Sequence, residues 1–370
     1  MSTTGKSDKG TDFLVKRDDL RVCAFAEGEP AGGGELQPGQ VQLSVEKFAL
    51  TANNITYAVF GDRMGYWNFF PAKEGWGRMP VWGFGAVVHS RSDGISTGER
   101  FYGYYPASSH LTVQADASGA GFNDVADHRR KLPAIYNQYS RTTTDLAYDV
   151  DYENEQMILR PLFLTSFLIA DFLEDNDFFG ARLAVLSSAS SKTAYGTAFL
   201  LSRMDPRHEV IGLTSARNVA FTESLGCYDR VVTYDQIDDL PQGTPAVYVD
   251  MAGSGAVNSS VHGHFQDNLK HSAVVGGTHW EEGASQGQLA GAPPTFFFAP
   301  TQAQKRTADW GARGLNERFA EAWKAFREPL GTWMDVVEER GPEALKRVYL
   351  DHLEGRSHPR SGNVLSLAAH

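Results

Sequence analysis

The sequence predicts a two-domain α/β protein in which a mostly antiparallel β domain precedes a parallel sheet flanked by helices. Roughly the first 150 residues carry short β-prone runs broken by Gly and Pro, such as VQLSVEKFAL, GAVVHS and RFYGYYPA. From about Gln156 the pattern changes to alternating helical and strand segments, which is typical of βαβ units. A chain of 370 residues is also long for a single hydrophobic core. We therefore expect a domain boundary at about residues 150 to 160.

Composition and charge exclude several classes of function. The chain is 42% hydrophobic and 21% charged, as in an ordinary globular protein, and we expect no apolar run of the ~20 residues that a membrane helix needs. A formal net charge of −11 disfavours nucleic acid and anionic membranes as partners. Two cysteines, Cys23 and Cys227, form no disulfide framework, and the polar N-terminus does not resemble a secretory signal. We expect a cytoplasmic protein that acts on a small molecule.

The second half divides into elements in chain order. RPLFLTSFLIADFLEDN has helical apolar spacing, ARLAVLSSA predicts a buried strand, and SKTAYGTAFLLSRM predicts a helix. HEVIGLTSA predicts a second strand, and NVAFTESLG a helix that ends at Gly226. YDRVVTY, PAVYVDMAG and HSAVVGGTH predict three more strands, each followed by turn residues. The tail from about Thr301 predicts an amphipathic helix and a final strand in GNVLSL.

The segment VLSSASSKTAYG has the strand, small-residue turn and helix of a nucleotide site, with serines in place of glycines. In a dinucleotide site the turn brings backbone amides to the pyrophosphate, and the helix N-terminus adds partial positive charge. Serines are the next best residues, because they are small and their hydroxyls can bind phosphate or cap the helix. An ordinary βα turn with serine caps and a solvated lysine is equally compatible with this stretch alone. The candidate phosphate-binding residues are Ser188, Ser190, Ser191, Lys192 and Thr193.

The loop after the next predicted strand favours NADP(H) over NAD(H). About 20 residues after the turn, GLTSARN stands where an NAD-binding protein carries an acidic residue for the ribose 2′-hydroxyl. Thr214, Ser215 and Arg217 instead offer hydroxyls and a guanidinium, which suit a 2′-phosphate. An ordinary surface loop with an exposed arginine is the alternative.

The order of these motifs resembles the medium-chain dehydrogenase/reductase superfamily, in particular its zinc-independent quinone and enoyl reductase branch. The segments that carry the resemblance are FALTANNITYAVFGD, MPVWGFGAVVHSRSDGISTGERFYGY, AVLSSASSKTAYGTA, FTESLGCYDRVVTYDQI, VYVDMAGSGAV, HSAVVGGTHW and GNVLSL. The resemblance implies a GroES-like substrate and catalytic domain at 1–155 and a Rossmann NADP(H)-binding domain at 156–300. It further implies a C-terminal segment, 301–370, that returns to the first domain, a substrate cleft between the domains, and a homodimer formed through the Rossmann sheets.

The resemblance also implies that no metal takes part. Zinc-dependent members of the superfamily carry a catalytic Cys and a Gly-His-Glu motif, whereas PVWGFG puts Trp82 and Gly83 at the His and Glu places. The four-Cys structural zinc lobe is absent from the sequence as well. The histidines His262, His264 and His271 have no Cys or carboxylate at a recognisable zinc spacing.

By the same resemblance, the segment from Asn53 to Tyr66 lies at the substrate site. A hydroxyl there can stabilise an enolate oxygen or deliver a proton after hydride transfer. The candidate catalytic residues are Asn53, Thr56, Tyr57 and Tyr66, and the further candidate cofactor contacts are Gly253, Gly276, Gly277, Thr278 and His279. Core packing is the alternative role for the tyrosines, and a buried structural histidine is the alternative for His279.

The sequence thus predicts a zinc-independent, NADPH-dependent reductase of an α,β-unsaturated carbonyl, quinone or enoyl thioester. The aromatic stretch GYWNFFPAKEGWGRMPVW favours an apolar or planar substrate. Because the serine turn departs from the glycine pattern, a nucleotide-binding or scaffolding protein without catalysis is the main alternative. A metal-free carbonyl oxidoreductase on the same fold is a third.

Overall fold

The computed structural model describes residues 9–32, 34–275 and 289–367. The chain forms two compact units: unit 1 is Met1–Ile158 with Asp335–His370, and unit 2 is Leu159–Met334. The return to unit 1 therefore begins at Asp335 and not near residue 301 as expected from the resemblance. The cause is the long helix Ala299–Arg327, whose aromatic side chains pack against Phe163 in the core of unit 2.

The described residues form the following strands and helices. The strands are β1 Gly10–Lys16, β2 Asp19–Gly28, β3 Gln40–Leu50, β4 Trp76–Arg78, β5 Pro80–Ser90, β6 Arg100–Pro106, β7 His110–Ser118, β8 Gly121–Asp124, β9 Gln138–Arg141, β10 Leu183–Leu186, β11 Glu209–Thr214, β12 Arg230–Thr233, β13 Ala246–Asp250, β14 Leu269–Val274, β15 Pro294–Phe296, β16 Asp335–Arg340 and β17 Ser361–Ser366. The helices are α1 Ala52–Val59, α2 Glu153–Asp175, α3 Lys192–Leu201, α4 Val219–Ser224, α5 Gly255–Phe265, α6 Ala299–Arg327, α7 Leu330–Trp333 and α8 Pro342–Leu353.

Unit 1 is built on a β-barrel. Its larger sheet runs in the order β16-β17-β3-β5-β6-β9-β8-β7, and an additional β3–β7 pairing closes the strands from β3 to β7 into a ring. Closure removes the exposed strand edges, and alternate residues such as Val41, Leu43 and Val45 fill the interior. The last strand, β17, pairs antiparallel with β3 and joins the C-terminal segment to the barrel. The predicted mostly-β, GroES-like domain is confirmed.

Unit 2 contains a six-stranded sheet in the order β12-β11-β10-β13-β14-β15, and every neighbouring pair is parallel. In order of appearance this is 3-2-1-4-5-6, the doubly wound arrangement of dinucleotide-binding domains. The prediction of a Rossmann sheet is confirmed. The strand order reverses between β10 and β13, and ligands of such sheets bind outside the carboxyl ends of the strands at this point.

In the described part of the chain, one helix, Val150–Asp175, is long and apolar enough by length and composition to cross a membrane. Its most apolar window is 61% buried, as in the core helix of a soluble protein. Phe163 of this helix stacks on Phe326 with 4.2 Å between the ring centroids, and it also contacts Trp323. The expectation that the sequence has no such run is wrong, and packing in the core of unit 2 accounts for the apolar composition.

Candidate functional site

The serine-rich turn joins β10 to α3 at the carboxyl end of a central strand of unit 2. Its sequence, SASSKT, puts Ser188, Ser190 and Thr193 where the Gly-x-Gly-x-x-Gly pattern has glycines. Ser188 adopts a φ of 51°, the left-handed conformation that a glycine takes at little steric cost. The Ser188 amide donates a hydrogen bond of 3.0 Å to the Tyr234 hydroxyl, which helps to hold this conformation. The tight turn of the pattern is therefore present although its glycine is not.

Helix α3 begins directly after the turn and presents amide donors. Ser191 is its N-cap and accepts from the Ala194 amide, while Ser190 Oγ accepts from Asn218 Nδ2 at 3.0 Å. Both hydroxyls keep a proton to donate, because a serine oxygen can accept and donate together. Within the described residues the Ser190 and Thr193 amides have no acceptor. They can therefore donate to an anion at the N-terminus of the helix.

Lys192 adds charge at the same position. Its side chain is partly covered, and desolvation lowers its pKa to about 8. Burial disfavours the charged form of a lysine, so below pH 8 the ammonium predominates and above it the neutral amine does. A bound phosphate favours the ammonium and raises this pKa again.

The loop after β11 presents two of the three residues predicted to bind a 2′-phosphate. Thr214 is 1% exposed at the end of the strand, so its side chain is not available at the surface. Ser215 is partly exposed and Arg217 is exposed on the following turn. Within the described chain Arg217 has no ion pair or side-chain hydrogen bond, and the loop from Thr214 to Asn218 has no carboxylate. Ser215 and Arg217 are the residues placed to meet a ligand.

A buried cluster of hydrogen bonds joins the ends of β10 and β13, where the strand order reverses. Ser187 Oγ donates to Asp250 Oδ1 at 2.9 Å and accepts from the Met251 and Ala252 amides. Both side chains are at most 1% exposed. Three more donors converge on Asp250 Oδ1: the Ala252 amide, the Gly253 amide and the Tyr248 hydroxyl. We call these residues the Ser187–Asp250 clasp; sequence reasoning selected only Gly253 from this region.

Gly253 has a φ of 64°, so the turn after β13 requires the left-handed region at this residue. Its amide is already bonded to Asp250, and its part in the structure is to shape this turn. The other predicted cofactor contacts on this side of the sheet, Gly276, Gly277, Thr278 and His279, lie outside the described residues.

In unit 1, a group of tyrosines surrounds the first turns after β3. Tyr57 of α1 is 4% exposed and accepts hydrogen bonds from Asn53 Nδ2 at 2.8 Å and from Trp82 Nε1 at 3.1 Å. The Tyr66 ring lies 4.7 Å from the Tyr57 ring, between centroids. The Tyr66 hydroxyl is 3.4 Å from that of Tyr136. We call Tyr57, Tyr66 and Tyr136 the tyrosine cluster.

Three of the four predicted catalytic residues thus come together, and one does not. Asn53 and Tyr57 are one helical turn apart and share a face of α1, while Tyr66 follows from the next turn of chain. Thr56 is exposed and its side chain has no hydrogen bond in the described residues. Successive residues of an α-helix point about 100° apart around its axis, so Thr56 faces outward although the next residue, Tyr57, is buried.

The hydrogen bonds to Tyr57 suit an acid. Burial raises the pKa of Tyr57 well above its ordinary value, and the nearby Tyr66 adds to this effect. Hydrogen bonds from Trp82, Asn53 and Tyr136 act in the opposite direction. The phenol is therefore protonated at neutral pH, while the Asn53 and Trp82 donors already face the oxygen that becomes negative when the proton leaves.

The positions that carry zinc ligands in zinc-dependent relatives have other roles in this chain. Trp82 donates to Tyr57, and a Cβ on Gly83 would lie 2.4 Å from the Lys47 carbonyl oxygen, so β5 has no space for a carboxylate there. His262 bonds to the Ala290 carbonyl and to Ser272, and His264 bonds to the Leu240 carbonyl. Over residues 9–32, 34–275 and 289–367 no group of three His, Cys, Asp or Glu residues could hold a metal.

Several solved structures share this fold. CurA from Vibrio vulnificus in complex with NADPH is 11% identical with a TM-score of 0.62, over 97% of this chain and 100% of that one. A mutant enoyl thioester reductase from Candida tropicalis (12%, TM-score 0.58) and the quinone oxidoreductase from Coxiella burnetii (12%, TM-score 0.55) match over the same shares. The protein has the fold of the medium-chain dehydrogenase/reductase superfamily, as the motif order predicted.

Within that fold class, the chain belongs to the family described as protein of unknown function DUF2855, whose family model matches residues 48–358. No curated protein matches the chain in sequence. The fold is thus shared with reductases at very low identity, and the argument for a function depends on the residues of the two units.

Proposed function

We propose that the protein is a zinc-independent, NADPH-dependent reductase of an α,β-unsaturated carbonyl, quinone or enoyl thioester. The observation that carries the proposal is Tyr57, a buried phenol whose oxygen accepts hydrogen bonds from Asn53 and Trp82. This arrangement is suited to giving up a proton, and a reduction by hydride requires a proton donor.

The residues of unit 2 fit NADPH as the cofactor. The free amides of Ser190 and Thr193 at the start of α3 would hold the pyrophosphate, together with the Lys192 ammonium. Ser215 and Arg217 would hold the 2′-phosphate, because the loop offers a hydroxyl and a guanidinium and no carboxylate that would repel it. When bound, NADPH supplies a hydride to the substrate.

Tyr57 supplies the proton that the reduction needs in addition to the hydride. Addition of hydride to a double bond conjugated with a carbonyl leaves negative charge on the carbonyl oxygen, as an enolate. The Tyr57 hydroxyl donates a hydrogen bond to that oxygen and then transfers its proton to the reduced substrate. Asn53 and Trp82 stabilise the phenolate that results. No metal is needed in this scheme, because the phenol takes over polarisation of the carbonyl.

The test is oxidation of NADPH by the purified protein, followed at 340 nm as the nicotinamide absorption, with a panel of enones, quinones and enoyl-CoA analogues. We expect turnover with at least one class of planar, conjugated acceptor. NADPH binding without turnover across the panel would favour the alternative, a nucleotide-binding protein without catalysis. Turnover limited to simple aldehydes and ketones would favour a carbonyl oxidoreductase.

Replacing Arg217 with alanine should weaken binding of NADPH about tenfold or more and leave NADH binding unchanged. The reason is that a charge-assisted hydrogen bond to phosphate is worth about 1.5–3 kcal/mol, and NADH has no 2′-phosphate. Titration followed by nicotinamide fluorescence measures both dissociation constants. Arg313→Ala, on the exposed face of α6, is the matched control and should bind both cofactors as the wild type does. Equal weakening for NADPH and NADH would contradict the assignment.

We also propose that the protein is a homodimer formed through β15. This strand ends the described sheet, and the exposed rings of Phe296 and Phe298 stack beside it with centroids 6.2 Å apart. An apolar strand at the end of a sheet favours pairing with a second copy. Light scattering should give a dimer for the wild type and a monomer for Phe296→Asp. The control, Leu146→Asp, alters an exposed apolar residue of unit 1 and should remain dimeric.

A further inference from the structure

The serine-rich turn adopts a glycine-like backbone although it contains no glycine. Ser188 has a φ of 51°, and a residue with a Cβ is strained in this left-handed region. Strained residues persist only where the surrounding structure holds them in place. The contacts that Ser188 makes with the rest of unit 2 therefore decide whether the turn keeps its shape.

Two tyrosines that flank β12 hold the turn from outside. The Tyr234 hydroxyl, directly after the strand, accepts from the Ser188 amide at 3.0 Å. The Tyr228 hydroxyl, shortly before the strand, donates to the Ala189 carbonyl at 2.8 Å. The Ala189 amide donates to the Leu213 carbonyl of β11 at 3.0 Å. The backbone of the first two residues of the turn is thus fixed by partners that come from other strands and their ends.

A glycine on β11 makes room for Tyr228. In the sheet, β11 lies between β10 and β12, so the ring packs over β11 to reach the turn. A Cβ on Gly212 would lie 2.9 Å from the Tyr228 ring and 2.8 Å from the Ala189 Cβ, which is closer than van der Waals contact. A larger residue at this position would displace either the tyrosine or the turn.

These hydrogen bonds leave the proposed ligand-binding amides available. The tyrosines bond to Ser188 and Ala189, whereas the Ser190 and Thr193 amides have no acceptor in the described residues. The Ser188 carbonyl accepts from the amide of Ser191, the N-cap of α3, at 2.8 Å. A change of φ at Ser188 would therefore turn the start of the helix and the free amides with it.

We infer that Tyr234 is a positioning residue for the cofactor. Its hydroxyl holds Ser188 in the left-handed conformation and thereby directs the amides at the start of α3 towards the pyrophosphate. Tyr228 supports the same turn through Ala189. This inference rests on the proposed function, in which the turn binds the pyrophosphate of NADPH. The hydrogen bond to Tyr234 takes the place of the conformational freedom that a glycine supplies in the usual pattern.

The experiment combines Tyr234→Phe with Ser188→Gly, because a glycine adopts the left-handed region without help. Tyr234→Phe keeps the ring, which packs against the core of unit 2, and removes the acceptor. We expect this variant to raise the Kd of both NADPH and NADH about tenfold, since the pyrophosphate is common to both. In the double variant both values should return to within about threefold of the wild type, and Ser188→Gly alone should change them less than about twofold.

Two further variants separate this role from the loss of any hydrogen bond near the turn. Tyr228→Phe should weaken both cofactors as well, but Ser188→Gly should not restore their binding, because the group that loses its partner is the Ala189 carbonyl. Tyr195→Phe, on α3, is the matched control. Its buried hydroxyl has no hydrogen-bond partner in the described residues, so both dissociation constants should remain those of the wild type.

Three results with a wild type that binds NADPH would overturn the inference and leave the proposed function standing. The first is unchanged binding of both cofactors by Tyr234→Phe. The second is weaker binding of NADPH alone, which would mean that the hydroxyl meets the 2′-phosphate directly. The third is a double variant that binds no better than Tyr234→Phe. If Tyr234→Phe does not fold, the double variant decides: recovered folding and binding support the inference, and their absence overturns it.

If the wild type binds neither cofactor, the proposed function fails and the role of Tyr234 towards the cofactor fails with it. The link between Tyr234 and Ser188 is then tested alone by urea denaturation without cofactor. Tyr234→Phe should lower the midpoint, and Ser188→Gly should raise it more in that variant than in the wild type. An equal effect of Ser188→Gly in both backgrounds would show that the hydroxyl does not hold the turn.

Discussion

Replacing Tyr57 with phenylalanine is expected to lower kcat about 10²-fold or more while the dissociation constant for NADPH stays unchanged. Proton delivery by a positioned acid contributes typically 10²- to 10⁴-fold to a rate, and phenylalanine retains the ring but has no proton to give. The proposed nucleotide-binding residues belong to unit 2, so the cofactor keeps all of its proposed contacts.

Single-turnover kinetics are the decisive measurement for Tyr57, because loss of the acid slows the first cycle itself. Tyr104→Phe is the control, since it removes a neighbouring phenol that has no hydrogen-bond partner in the described chain. A first-turnover rate for Tyr57→Phe within threefold of the control would remove Tyr57 from the mechanism, because less than about one tenth of the expected effect would remain.

The pH dependence of the wild-type rate is a second test of Tyr57 as the acid. Burial raises the pKa of Tyr57 above the ordinary value of tyrosine, so the acid form predominates up to a higher pH than in a free phenol. An acid acts in its protonated form, and the step that uses it should therefore show no decline between about pH 7 and pH 9. A decline in that range would have to come from another group, and Lys192, whose pKa is about 8, is the candidate through weaker cofactor binding.

The fold could be predicted from the sequence where local pattern determines it. Short buried runs such as Leu183–Leu186 alternate with helical spacing, and this alternation is sufficient to predict a parallel sheet. Closure of the barrel by the β3–β7 pairing could not be predicted, because no local pattern records which distant strands meet. The unit to which α6 belongs could not be predicted either. It depends on the contacts of Trp323 and Phe326 with the distant Phe163, which hold the helix in unit 2.

The candidate site also combines contacts that local sequence predicts with contacts that only the tertiary structure shows. Asn53 and Tyr57 are four residues apart on one helix, and their hydrogen bond follows from that spacing. Trp82 and Tyr136 come from β5 and from a turn before β9, so their convergence on Tyr57 is a product of tertiary structure. Trp82 did carry a signal, since it stood at a ligand position that could no longer bind zinc. In the sequence alone that signal indicated only a loss, and the structure assigns the indole a hydrogen bond to the phenol.

Residues that support a site were the hardest to find from the sequence. The sequence predicts phosphate ligands at Ser188, Ser190 and Ser191, whereas the neighbouring Ser187 is buried in the Ser187–Asp250 clasp. Serine is a common turn residue, and the sequence does not distinguish a serine that binds a ligand from one whose hydrogen bonds join two strands. The Asp-x-x-Gly sequence that begins at Asp250 was the available signal, because an acidic side chain at the start of a turn can accept from the amides that follow it.

The clasp provides the largest expected effect on stability: Asp250→Ala should lower the free energy of unfolding by about 3–5 kcal/mol. The change leaves the Ser187 hydroxyl, the Tyr248 hydroxyl and the Gly253 amide buried without their acceptor, and each such loss costs about 1–3 kcal/mol where relaxation and water do not compensate. Urea denaturation followed by circular dichroism measures the change, with the slope of the transition compared between variants to check that the same structure unfolds.

Asp250→Asn separates the hydrogen bonds from the charge. All four donors converge on Oδ1, while Oδ2 has no partner in the described residues, so an asparagine keeps the acceptor that the clasp uses. We expect this variant to lose no more than about 1–2 kcal/mol, the difference between charge-assisted and neutral hydrogen bonds. A loss equal to that of Asp250→Ala would mean that the carboxylate charge, and not the geometry of the acceptor, holds β10 to β13. In that case the strand ends that frame the proposed nucleotide site are fixed by electrostatics.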